Sequence, residues 1–163
     1  MEKFQEAREK AERSIRVADH MLFVTYPLIQ DDKLLISILE NVFLAMSQSM
    51  ASVLYYERLF KRVHPFHDNF ESKYTLFKEK IAPRYKIERK YLKLMRTVHE
   101  IILEHRKSPM EFTRRGKFVI CSGDYQTKTI SFDDLKDFVR TAKVFLTLNK
   151  RIVEKNGFIF KRS

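Results

Sequence analysis

The chain has 163 residues, 44% of them apolar, with 14 Phe and 7 Tyr, enough for one domain burying about two-thirds of its unfolded surface. Its net charge is +11, and a single cysteine, Cys121, excludes an intramolecular disulfide and any thiolate-rich zinc site. Three scattered glycines (Gly116, Gly123, Gly157) exclude a P-loop and a dinucleotide-binding fingerprint, which cluster glycines to bring backbone amides against phosphate.

Other chemistries fall away on spacing. No Gly-x-Ser-x-Gly is present, and none of the five histidines has Glu three residues before it, as a carboxylate-bridged di-iron bundle requires. His99-Glu100 opens like a zinc-hydrolase motif, but Leu103 stands where its second histidine would be. Residues 2–16 alternate Glu with Lys and Arg, unlike a secretory signal. The apolar stretches 17–29 and 34–46 are interrupted by Asp19, His20 and Glu40, so no membrane span, no membrane partner and a soluble, cytoplasmic protein are expected. No cofactor and no metal are expected.

Residues 1–64 carry nine basic and nine acidic side chains, so the whole positive excess lies beyond residue 64. An anionic partner for that half, nucleic acid or an acidic protein, competes with the plainer reading of a solvated surface.

The first helix is expected from about Phe4 to Tyr26 or Ile29. Phe4, Ala7, Ala11, Ser14, Ala18, Met21, Thr25 and Leu28 form a heptad-like seam, and Pro27 marks its end. Asp31 or Asp32 caps a second helix reaching about Val63, with Leu35, Leu39, Val42, Met46, Met50, Val53 and Phe60 on one face. Small residues crowd its middle (Ala45, Ser47, Ser49, Ala51, Ser52), which suits close helix approach or, alternatively, a polar groove. These two faces together predict a two-fold homodimer.

Asp68 or Asn69 caps a short third helix that Pro83 interrupts. The fourth, about Ile87 to Arg106, sets Ile87, Tyr91, Leu94, Val98, Ile102 and His105 within about 80° of one another. Lys86, Arg89, Lys90, Lys93 and Arg96 gather opposite them, with Arg96 in reach of Glu100, and Arg114, Arg115 and Lys117 extend the patch. These eight basic residues are the expected nucleic-acid-binding set.

Residues 117–130 read as strand, turn, strand, and Ser131-Phe132-Asp133-Asp134 as a capping box opening a fifth helix that Gly157 ends. Phe158-Ile159-Phe160 would then add a strand or dock on a partner. The expected fold is mainly α: one domain, 1–163, with an antiparallel bundle of four to five helices over 1–107, a small β-hairpin at 117–130 and a C-terminal helix at 131–157.

His64, His67 and Asp68 offer possible metal ligands, but a zinc site of three protein ligands needs a further group that the connector does not supply. Arg58-Leu59-Phe60-Lys61-Arg62-Val63-His64 places Arg six residues before His in a helical chain, and this resembles HEPN-domain proteins, many of which cleave RNA. The resemblance implies catalytic roles for Arg58 and His64, the histidine moving a proton and the arginine steadying phosphorane charge. Leu59 departs from the small polar residue that usually follows the Arg there. The segment 102–130 also looks like small archaeal proteins of unknown function. The leading expectation is a non-enzymatic module whose basic face engages nucleic acid, RNA before DNA, or an acidic protein. The alternatives are a HEPN-like metal-independent endoribonuclease or its inactive relative, and a structural homo-oligomer.

Overall fold

The computed structural model describes the backbone of residues 1–107, 111–114, 117–121 and 127–160, and the side chains of residues 1–107 and 129–154. Five helices dominate: α1 (residues 3–29), α2 (Lys33–Leu59), α3 (residues 70–85), α4 (Arg89–Lys107) and α5 (Phe132–Phe160). Three short strands, β1 (Glu111–Arg114), β2 (Lys117–Cys121) and β3 (Thr127–Ser131), pair antiparallel in chain order between α4 and α5.

Helix α2, about 40 Å long, is the spine. Leu35, Leu39, Val42, Met46, Met50 and Val53 are buried, but so are Ile38, Ala45, Ser49, Leu54, Tyr56 and Glu57, so neighbours surround it on nearly every side. It is long and apolar enough to cross a membrane by length and composition alone, with a mean hydropathy of 1.4 over its best stretch. Half of that stretch is buried inside the bundle, as the central helix of a packed core requires.

The seam of α1 packs within the chain. Ala7, Ala11, Ser14 and Ala18 are buried and α1 lies along α2, whose Ala45, Ser49 and Ser52 are equally enclosed. Small side chains on both sides let the backbones approach, and the Ser52 hydroxyl donates to the Phe4 carbonyl at 3.0 Å. Phe4 meets Tyr56 edge-on at one end, while the Tyr26 hydroxyl donates to Asp32 at 2.7 Å at the other, so the two helices run in opposite directions. Burial pushes the Tyr26 hydroxyl up to about 12, and it stays a donor. Much of the two faces that suggest a homodimer in the sequence is therefore buried inside one chain, although Leu28 of the seam is exposed. Val17, Phe23, Val24 and Leu28 of α1 stay exposed, as do Leu44, Leu103 and Val144 on other helices.

Contacts of α5 with α1 run from Tyr26–Phe132 through Asp19–Lys143 to Glu12–Lys150, again in opposite directions. Helix α5 therefore shares the direction of α2, so the bundle is not antiparallel throughout. Its N-terminus is a reciprocal cap: Asp134 N–H donates to Ser131 Oγ at 3.1 Å, and Ser131 N–H to Asp134 Oδ2 at 2.9 Å. Gly157 does not end α5. Phe158-Ile159-Phe160 forms its last turn, so this tail is helix and not an added strand.

Two prolines do not stop their helices where sequence rules expect. Each is preceded by a π-helical turn, Met21–Thr25 before Pro27 and Phe77–Ile81 before Pro83, and helix continues to a left-handed residue, Gln30 or Lys86 at φ 55°. A wider turn accommodates the missing proline N–H without breaking the rod. The same device thus occurs twice, a recurrence of geometry with no likeness of sequence.

Helix α2 ends at Leu59, short of the expected Val63. Lys61 takes φ 57°, its N–H bonds Arg58 O at 3.0 Å, and Arg62 N–H bonds Glu57 O at 2.9 Å. This is a Schellman ending with lysine in the position usually held by glycine.

Candidate nucleic-acid interface

Helices α3 and α4 form a hairpin. Contacts step from Tyr74 with the Leu92 carbonyl, through Glu71 with Arg96, to Phe70 with His99. On α4 the buried residues are Tyr91, Leu92, Met95, Val98, Ile101 and Ile102. The core face is thus turned relative to the expected stripe: Leu92, Met95 and Ile101 join it, while Leu94 and His105 are only half-buried.

Between the two helices lies a groove of about 640 Å³. Its apolar floor includes Ala82, Pro83, Ile87 and Leu92, and its cations are Lys78, Arg89, Lys93 and Arg96. Among the described residues no carboxylate lines it. Three of the expected residues therefore share one concavity. Lys78 escapes a sequence reading because it belongs to the preceding helix, in the π turn before Pro83, and no wheel of α4 can show it.

The remaining predicted residues are not in the groove. Lys86 is the exposed left-handed residue between α3 and α4. Lys90 is exposed, lies over the Tyr91 ring and approaches Glu88 at 3.8 Å. Arg114 and Lys117 face each other across the β1–β2 ladder, but their side chains, and all of Arg115, lie outside the described residues.

The four cations of the groove are not equivalent. Arg96 grips Glu71 with both guanidinium nitrogens, at 2.5 and 3.0 Å, and lies over the Tyr74 ring at 4.3 Å. This bond holds the Glu71 carboxyl below its ordinary range and pins Arg96 to α3 in place of the expected Glu100. Lys78, Arg89 and Lys93 pair with no carboxylate among the described residues. They are the charges left for a ligand.

The hairpin carries a pH-sensitive joint. His99 stacks on Phe43 at 4.8 Å and meets Phe70 at a tilt at 4.3 Å, and burial pushes its imidazole below the ordinary 6.5. A depressed histidine contributes stability that is complete above 6.5 and is lost as pH falls through its folded value. Urea unfolding is expected to show wild type losing stability between pH 7.5 and 5.5, roughly, with a smaller loss in His99→Gln. Equal loss in both proteins would contradict this. Glu71 and Asp68, held low by Arg96 and Lys73 respectively, lose their contributions only in the acid range below about 4.

Arg58 and His64 line different clefts. Arg58 sits on the rings of Tyr55 (5.1 Å) and Phe66 (4.7 Å) and lines a cleft with Glu2, Lys3 and Phe4. His64 lies beyond the helix end, exposed, its Nδ1 3.0 Å from the Pro65 carbonyl, and lines a different cleft with His67 and Glu71. Asp68 is turned to the Tyr55 hydroxyl, at 2.8 Å, and to Lys73. Among the described residues no three His, Cys, Asp or Glu side chains converge as metal ligands.

Known proteins add nothing to this geometry. No family model, no curated protein and no solved structure matches the chain.

One charged cluster has no counterpart among the sequence motifs. Glu57, fully buried, accepts from Arg62 Nε at 2.6 Å, from Arg84 Nη1 at 3.3 Å and from the Tyr85 hydroxyl. It joins the end of α2, the connector and the end of α3. The cluster thereby fixes the start of the groove, since Pro83 and Ile87 flank Arg84 and Tyr85. No spacing in the sequence links Arg62 to Arg84; the one signal is an acidic residue amid the apolar face of α2.

Proposed function

We propose that this chain is a non-enzymatic nucleic-acid-binding module whose groove between α3 and α4 takes the backbone of a single RNA strand. The observation that carries the reading is the set Lys78, Arg89 and Lys93, gathered over an apolar floor in a groove where, among the described residues, no carboxylate pairs with them or lines the wall. Phosphates meet the cations, and bases find apolar surface on exposed Pro83, a combination suited to backbone tracking with little sequence choice. A concave groove between two helices suits an unpaired strand better than duplex DNA, whose major groove takes a projecting element. Fluorescence anisotropy with labelled oligouridylate, the matching DNA and a duplex tests it, and the single strands are expected to bind more tightly than the duplex. Binding of polyaspartate with no binding of RNA at low salt would assign the groove to an acidic protein instead.

The HEPN-like alternative leads to a different result. With Arg58 clamped by two rings and His64 in another cleft, metal-free protein is expected to leave labelled single-stranded RNA intact, and His64→Ala to change nothing. Chelator-resistant cleavage that disappears in His64→Ala would contradict this reading.

A further inference from the structure

A second cavity, of about 340 Å³, opens between α1, α2 and α5 and shares no lining residue with the basic groove. Its volume lies within the range of small-molecule sites, roughly 300–1,000 Å³. The small residues Ala11, Ser49 and Ser52 create the space, and Ile15 and Leu146 supply apolar wall.

Its deep end is polar. Asn149 and Ser49, 2% and 4% exposed, come from helices far apart in the chain, and Asn149 Nδ2 donates to Ser49 Oγ at 2.9 Å. Asn149 Oδ1 is equally buried and has no hydrogen-bond partner among the described residues. A buried amide oxygen without a donor is destabilising, and an apolar side chain would serve plain helix packing better. Turning the amide over would satisfy the oxygen with the Ser49 hydroxyl and leave the nitrogen unmatched instead. In either orientation one buried amide atom of Asn149, a residue that lines the cavity, lacks a partner among the described residues.

The outer edge carries three cations, Arg8, Lys143 and Lys150, and one carboxylate, Glu12. Lys143 is held by Asp19, and Lys150 lies 3.8 Å from Glu12, whereas Arg8 pairs with no carboxylate among the described residues. Its planar fork suits a phosphate.

The geometry points to a binding site for a nucleoside monophosphate, with the base edge on Asn149, the ring against Ile15 and Leu146, and the phosphate on Arg8. A base edge carries donor and acceptor side by side, so it complements the unmatched amide atom whichever way the amide is turned. That amide is closed to solvent in the free protein, so it meets the base when the Asn149 side chain turns toward the opening. This inference is independent of the RNA reading.

Calorimetric titration of the purified protein with AMP, GMP, CMP and UMP, and with their nucleosides, tests it. At least one monophosphate is expected to bind with a Kd below about 1 mM, and its nucleoside at least about tenfold more weakly. Asn149→Ala risks the fold, so the decisive variants are at the edge: Arg8→Glu and Thr147→Phe, which covers the opening from an exposed position. Both are expected to melt like wild type and to lose binding at least about tenfold. Reversing Lys78, Arg89 and Lys93 to Glu is expected to leave monophosphate binding intact, which separates this site from the RNA groove. Absence of binding by all four monophosphates at millimolar concentration would overturn the inference. So would edge variants that bind as wild type, or nucleosides that bind as tightly as their monophosphates.

Discussion

Replacing Glu57 with Ala is expected to destabilise the protein by about 2–3 kcal/mol, lowering its melting temperature by roughly 5–10 °C. Glu57 is fully buried yet accepts from two guanidinium groups and one hydroxyl, so its removal strands three donors and leaves a void. The cost stays below that of a deep buried pair because Arg62 and Arg84 are 35% and 41% exposed and can turn to water. Arg62→Ala or Arg84→Ala alone should cost less, near ~1 kcal/mol, since the carboxylate keeps one arginine. The double replacement should cost more than the sum of the two, because it leaves a buried charge unpaired. Exposed Glu79→Ala serves as the control and should move stability by less than about 0.5 kcal/mol. Chemical denaturation of these variants beside wild type checks the order. A Glu57→Ala protein as stable as wild type would show that the cluster is dispensable.

The helices are legible in the sequence because their signals are local. Apolar periodicity marks all five, and Ser131 with Asp134, three residues apart, announces the start of α5 by residue type and spacing alone. The helix ends are less legible. Pro27 and Pro83 read as stops, but the π turns before them depend on tertiary packing that holds the rod together on both sides. Lys61 in a left-handed ending carries no glycine to announce it, so periodicity alone extends α2 four residues too far. Much of the expected dimer faces of α1 and α2 packs together within one chain. Periodicity reveals that a face is apolar and small, not which surface covers it.

Charge reversal in the groove is expected to have the largest effect on binding. Lys78→Glu, Arg89→Glu and Lys93→Glu together should weaken single-stranded RNA binding at least about 30-fold, since three phosphate contacts become three repulsions. Lys86→Glu with Lys90→Glu should weaken it less, about two- to fivefold, because these residues lie outside the groove and contribute only to the general field. Arg96→Ala is informative in a different way: it frees the Glu71 carboxylate, so it should disturb the α3–α4 hairpin as well as binding. Equal losses from the two reversal sets would mean that total charge, not the groove, governs affinity. Only part of this site is legible in the sequence. Arg89, Lys93 and Arg96 share an α4 face at helical spacing, but Lys78 is contributed by α3, and the capture of Arg96 by Glu71 crosses between helices 25 residues apart. A helical wheel counts charges on one element. It cannot tell which of them another element has already neutralised.

The most direct test of the groove is the salt dependence of RNA binding. With Lys78, Arg89 and Lys93 each neutralising a phosphate, the log–log slope of affinity against salt for oligouridylate should be about −2 in the wild-type protein. In the folded triple reversal it should approach zero as binding is lost. A folded triple variant that binds RNA as tightly as wild type, with the same slope, would contradict the account.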